Sequence, residues 1–290
     1  MPSIILITNP KSGNGAATKA AHITQQTLAK KKMNVHIAYT EYKGHATQLA
    51  KSFISDFDII VAIGDHETVN EVAQALVGTD KPLGIIPCGN EEGLAKDLGI
   101  PTALRKAIKI IYNKRIKCID APQINNEHVF YTDGIECEPK ANHKLNMFNG
   151  REIGNYFKSF IMDFQKHSAN KFTISVNGQK ITSNAFVITL ANGELFKSGT
   201  YIPSSLRKRS EHLDSVNPKD KGMNFGIHLV KNNSSDQRTE VIHLQSNNFV
   251  INADKKQKSI FGFKDSESEK WSTPLNFKIR KEDKLNVIVH

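Results

Sequence analysis

Apolar residues fall in two textures along this chain, and the change comes near Lys114. In the first texture, continuous apolar runs alternate with stretches of helical period. From Asp58 the run to Ile63 has no polar break, the pattern of a strand buried on both faces. Val69, Val72, Ala73 and Leu76 then recur at helical spacing, so a turn from Gly64 to Thr68 joins strand to helix. Such a turn aims backbone amides at one point and suits a phosphate, or it is an ordinary strand-to-helix loop with Thr68 as the N-cap. The same alternation predicts a strand at Ser3–Thr8, a glycine-rich loop from Asn9 to Gly15 and a helix from about Ala16 to Lys32. It continues with a strand at Val35–Tyr39 ending at Thr40, a helix from Gly44-His45-Ala46 to about Ser55, and a strand at Pro82–Ile86. Pro87 breaks that strand, the loop Cys88 to Gly93 follows, and helical patterns return at Leu94–Leu98 and Thr102–Tyr112. Strand-then-helix units in succession predict a parallel sheet covered by helices, with ligands beyond the carboxyl ends of its strands.

Past Lys114 the pattern becomes short alternating segments: Arg115–Asp120, His128–Thr132, Lys171–Val176, Ala185–Leu190, Asn224–Val230 and Glu240–Leu244, then Phe249–Asn252, Ser259–Phe263, Pro274–Ile279 and Leu285–Val289. Asn177-Gly178 is a hairpin turn signal, one helix is predicted at roughly Gly154–Gln165, and Ser204–Lys221 and Lys231–Thr239 read as polar loops. The fold class is therefore α/β plus β: a parallel-sheet domain over residues 1–120 and a mainly antiparallel β-sandwich domain over 121–290. The last strand, 285–290, is a candidate to return to the first domain.

Composition changes the picture in two respects. With 39% apolar and 23% charged residues the chain is of the globular class, and no apolar stretch nears the roughly 20 residues that span a bilayer. The N-terminus lacks a basic leader, and Cys88, Cys118 and Cys137 have no metal-like spacing, which predicts a reduced, cytoplasmic protein. The net charge of +10 favours an anionic partner, a membrane surface or nucleic acid, but no zinc-finger, RRM-like or helix-turn-helix signature accompanies the basic clusters.

The loops carry motifs. Asn9-Pro10-Lys11-Ser12-Gly13, Thr40 ahead of Gly44-His45-Ala46, Gly64 to Val72, Pro82 to Pro87, Ala191-Asn192-Gly193, Asp265-Ser266-Glu267 and Thr273-Pro274-Leu275 follow in an order and spacing that resembles the diacylglycerol kinase and sphingosine kinase family. The resemblance runs over essentially the whole chain. It implies a nucleotide-binding α/β domain, a lipid-substrate β-sandwich, ATP and Mg²⁺ as cofactors, and transfer of the γ-phosphoryl group to a lipid hydroxyl. It implies nucleotide contacts from Asn9, Lys11, Ser12 and Gly13, from Thr40, from Gly64, Asp65, Glu67, Thr68 and Glu71, and from Gly89 and Asn90. Glu267 matches the glutamate that takes the proton of the lipid hydroxyl, with Asp265 beside it, and His66 stands at the position of the family aspartate. Metal ligands stay unassigned. The expected partner is a lipid at an anionic membrane surface, bound peripherally. No specific nucleic acid is expected, and a homo-oligomer is compatible with the pattern.

Departures from the family fall on the same loops. Where the family has Gly-Gly-Asp-Gly-Thr, the ungapped match is Gly64-Asp65-His66-Glu67-Thr68, and Pro-x-Gly-Thr-Gly-Asn-Asp becomes Pro87-Cys88-Gly89-Asn90-Glu91-Glu92-Gly93. A carboxylate about 4 Å from a phosphate oxygen repels it by ~1 kcal/mol in water-like surroundings and ~4 kcal/mol at intermediate dielectric. The resemblance thus implies a lipid kinase with an impaired nucleotide site. The alternative is an inactive kinase fold that binds lipid or a protein partner.

Overall fold

The computed structural model describes residues 1–89, 93–130, 133–136, 170–176, 178–185, 187–192, 210–212, 225–233, 238–253, 259–264 and 267–290. The helix expected at Gly154–Gln165 lies outside these residues. Residues 1–121 and 281–290 form one compact unit and 122–280 another. The α/β-plus-β class read from the pattern is the class observed.

The first unit is built on β1 (Ser3–Thr8), β2 (Asn34–Tyr39), β3 (Ile59–Gly64), β4 (Leu83–Pro87), β5 (Arg115–Asp120) and a terminal strand, Lys284–Val289. Their order is β2-β1-β3-β4-terminal strand-β5. Every neighbour pair is parallel except the terminal strand with β5. All of β3 is buried, as expected of a central strand between two helical layers. On one face α1 (Ala16–Ala29) and α5 (Leu104–Asn113) share a core. Ala17, Ala20, Ala21 and Leu28 of α1 meet Ala107, Ile108, Ile110 and Ile111 of α5 over Ile4, Leu6, Val61, Ile63, Ile86 and Ile288. The small alanines let α1 lie close to the strands. The other helices are α2 (His45–Phe53), α3 (His66–Leu76) and the short α4 (Leu94–Asp97).

The pattern placed the end of α1 at Lys32, but the helix stops at Ala29. Lys31 and Lys32 close it with bonds to Leu28 and Ala29 carbonyls, and Lys32 turns to φ 60°. Three adjacent lysines thereby stay in water while Met33 enters the core.

Among the described residues the second unit has two sheets. One is antiparallel and contains Asn170–Val176, Gln179–Ala185, Asn248–Ala253, Leu275–Lys278, Gln123–Ile124 and Glu127–His128. Val176 pairs with Gln179, so the two strands run as an antiparallel pair. Phe172, Ile174 and Val176 alternate inward and pack with Phe249, Ile251, Leu275 and Phe277. The other sheet contains Arg238–Ser246, Phe225–Asn233, Val187–Asn192, Asp133–Glu136, Ser259–Lys264 and Glu267–Ser272, with Ser210–His212 at its edge. Within the loop expected at Lys231–Thr239, residues 231–233 and 238–239 are strand, because the backbone ladder continues out to Asn233 opposite Arg238. Backbone pairing does not require apolar side chains, so polar hairpin tips are easily read as loops.

Candidate functional site

Three loops converge at the carboxyl ends of β1, β3 and β4. The Asn9 amide donates to the Ile63 carbonyl (3.1 Å), and the Cys88 amide donates to the Gly64 carbonyl (2.7 Å). Gly13 has φ 59°, and a Cβ there would come within 3.4 Å of the Cys88 carbonyl carbon and 3.5 Å of the Gly89 amide. A Cβ on Gly64 would lie 2.7 Å from the Cβ and Oγ1 of Thr68, so that position tolerates no side chain without moving α3.

Helix α3 starts three residues earlier than the pattern suggested. Its N-cap is Asp65, not Thr68. Asp65 Oδ1 accepts from the Thr68 amide (3.1 Å) and the Thr68 hydroxyl (2.9 Å), while Oδ2 accepts from the Ser12 hydroxyl (2.7 Å). The Asp65 amide in turn donates to Ser12 Oγ (3.3 Å), and Asn9 Nδ2 donates to Thr68 Oγ1 (3.3 Å). Asn9 Oδ1 also accepts from the Lys11 amide (3.0 Å), which shapes the first loop and leaves Lys11 exposed. Burial works to raise the Asp65 carboxyl. The hydrogen bonds from Ser12 and Thr68, with His66 alongside, outweigh it and hold the group below its ordinary value of 3.8.

That direction makes a prediction. A carboxylate depressed in the folded state adds stability that is complete above the unfolded value and lost as pH falls through the folded one. In denaturant titrations the advantage of the wild type over Asp65→Asn should be constant near neutrality and shrink below about pH 4. A gap that persists unchanged into strong acid would contradict the network.

The other expected contacts fall around this centre. Thr40 follows β2, its amide bonded to the Thr8 carbonyl at 2.9 Å. Glu67 is 42% exposed, with Lys43 Nζ 4.0 Å away. Glu71 accepts from the amides of Gly44 (2.6 Å) and Ala46 (3.1 Å), so its carboxylate caps α2. His66 opens α3 beneath Gly93. Both ring nitrogens are buried and without a hydrogen-bond partner among the described residues. Burial, then the charge of Asp65, pushes the Cys88 thiol up to about 11, so it stays protonated at neutral pH. Gly89 borders Asp65 and Gly13. Asn90 and Asp265 lie outside the described residues. Glu267 begins the strand Glu267–Ser272, its backbone paired with Lys264, in the second unit. Among the described residues no group of three or more His, Cys, Asp or Glu is placed to share a metal ion.

Nucleotide phosphates fit part of this arrangement. Gly13 and Gly89 leave bare backbone, but the Thr68 amide and hydroxyl at the start of α3 already serve Asp65. The Ser12–Asp65 bond was missed at the sequence level. Its signal was Asp65 three residues ahead of Thr68, a cap pattern overshadowed by Thr68 itself.

The diacylglycerol kinase catalytic domain family matches residues 3–124. A diacylglycerol kinase of Mycobacterium tuberculosis is 33% identical over 127 residues, covering 43% of this chain and 41% of that protein. The probable lipid kinase YegS of Escherichia coli is 33% identical over 134 residues, 44% of each. The chain spans about half the length, or somewhat less, of the curated relatives it matches. A diacylglycerol kinase structure from Bacillus anthracis superimposes with TM-score 0.67 at 21% identity, over 100% of this chain and 97% of that one. A second structure from that organism reaches 0.73 at 22% identity, with 100% and 98% covered. At that identity the likeness concerns the fold, and it extends over both units. No helix among the described residues is long and apolar enough to cross a membrane.

Proposed function

We propose that the chain is an ATP-dependent lipid kinase of the diacylglycerol kinase type whose nucleotide affinity is reduced by its own side chains. The observation that carries this is the Asp65 carboxylate at the start of α3, within a diacylglycerol kinase catalytic domain. Phosphate would be held by the bare backbone around Gly13 and Gly89 and by Lys11. Thr40, Asn90 and the 64–68 turn complete the nucleotide contacts. Glu71 acts at one remove by holding the start of α2, and His66 stands in the place of the family aspartate. Glu267, with Asp265 beside it, takes the proton from the lipid hydroxyl. Mg²⁺, held with the nucleotide, would supply positive charge against the phosphates, and the lipid would be met peripherally at an anionic bilayer.

The experiment is a labelled-phosphate transfer assay on diacylglycerol in mixed micelles, run beside a thermal shift with Mg-ATP. A ligand stabilises by RT ln(1 + [L]/Kd), about 0.4 kcal/mol when concentration equals Kd. A weak, Mg-dependent shift together with slow transfer is expected. Intact binding to vesicles without any transfer would favour the second reading, an inactive lipid-binding descendant.

A further inference from the structure

Carboxylates are absent from residues 1–40, from 98–119 and from 284–290. The fold brings these three stretches together. They supply α1, α5, β5 and the terminal strand, and α1 and α5 lie side by side on the same sheet face. Lys30, Lys31 and Lys32 follow α1, and Arg105, Lys106 and Lys109 project from α5, all exposed. Asp120, at the end of β5, is paired with Lys284. Asp58, near Lys114, is engaged by the Ser3 amide (2.7 Å) and hydroxyl (3.0 Å). The opposite layer differs, since α3 carries Glu67 and Glu71.

Two apolar side chains stand out of this basic face. Tyr112 is 44% exposed and Ile116 is 53% exposed. Lys31 Nζ sits 5.3 Å from the centre of the Tyr112 ring, joining the end of α1 to the end of α5. Ile116 pairs with Ile288, which is buried against Ile108 and Ile111, so Ile116 points to the α5 side of the sheet.

We infer that the α1/α5/β5 face is the bilayer-docking surface, its lysines and arginines meeting anionic headgroups while Tyr112 and Ile116 enter the interfacial layer. This rests on the reading of the chain as a lipid kinase. Cations without interspersed carboxylates suit a negative surface, and each adds roughly fivefold to affinity. Tyrosine and aliphatic tips amid lysines are what an interface adds to electrostatics. Phosphate backbones offer nothing for Ile116 to enter, and a second copy of β5 would oppose like charges. Helix α1 begins at the site edge and runs about 21 Å at 1.5 Å per residue, so a flat α1/α5 layer keeps the three loops beside the headgroups.

The test is co-sedimentation of the full chain with vesicles of phosphatidylglycerol and phosphatidylcholine in equal parts, and of phosphatidylcholine alone. Lys106→Glu/Lys109→Glu should weaken binding to the anionic vesicles at least tenfold. Lys51→Glu/Lys96→Glu, the same charge change elsewhere, should weaken it less than threefold. Tyr112→Ser/Ile116→Ser should remove the part of binding that survives high salt. Equal losses in both charge variants, no loss in the first, or tighter binding to duplex DNA than to the anionic vesicles would overturn the assignment. Transfer to a short-chain diacylglycerol dispersed as monomers is measured in parallel. Its absence in the wild type would remove the kinase reading and leave the vesicle result to be judged separately.

Discussion

Asp65→Asn is expected to tighten Mg-ATP binding by tenfold or more. Asparagine keeps a side-chain oxygen for the Thr68 amide, so the cap of α3 survives, while the charge at the N-terminal end of the helix disappears. Removing a carboxylate about 4 Å from a phosphate oxygen relieves about 1–4 kcal/mol, the lower figure in water-like surroundings and the upper at intermediate dielectric. Even the lower bound is roughly fivefold in affinity, and the burial of Ser12 and Thr68 places this turn above that bound. Asp65→Ala is the contrasting variant, since it relieves the same charge but forfeits the cap, about 1 kcal/mol of stability. Calorimetric titration with Mg-ATP checks both. Weaker binding by Asp65→Asn would mean that the carboxylate serves a nucleotide-bound cation, and the site would then be rewired and not weakened.

Glu267→Gln should lower phosphoryl transfer to diacylglycerol by two orders of magnitude or more and leave the affinity for Mg-ATP within twofold. General-base groups contribute about 10²–10⁴ in rate, and glutamine preserves shape while losing the basic oxygen. The two readouts separate the roles. An interaction with the acceptor alone shows in transfer, whereas a nucleotide contact shows in binding as well. If both fall together, Glu267 belongs to the nucleotide side or to the stability of its strand. If neither falls, the proton is taken elsewhere.

How much of this was readable without coordinates depends on the range of the interaction concerned. The apolar run from Ile59 to Ile63 predicted a central strand because burial on both faces leaves no room for polar residues, and that strand is wholly buried. The inward alternation of Phe172, Ile174 and Val176 was equally legible. The cap of α3 was not. Asp65 and Thr68 are both good cap residues, and only the Ser12 hydroxyl, 53 positions away, shows which carboxylate orientation is held. The motif match makes Glu71 a nucleotide contact. Its two bonds to the amides of Gly44 and Ala46 depend on α2 and α3 lying together, which no local pattern records. Polar strand ends such as Lys231–Asn233 escaped for another reason: their pairing is carried by backbone groups that every residue shares.

The position of Lys284–Val289 bears on how the molecule is made. That strand lies inside the first sheet, with Val287 beside Leu83 of β4 and its whole length along β5. During synthesis, β1 to β4 and their helices emerge early, yet the gap between β4 and β5 stays open until everything from Pro122 to Arg280 has left the ribosome. For that interval two strands present raw hydrogen-bonding edges, the condition in which nascent sheets pair wrongly with neighbours. Closing so long a loop is only modestly costly, because the entropic cost grows with the logarithm of its length, and prior folding of the intervening unit shortens it further. The first of the two units to begin folding is therefore the last to be finished.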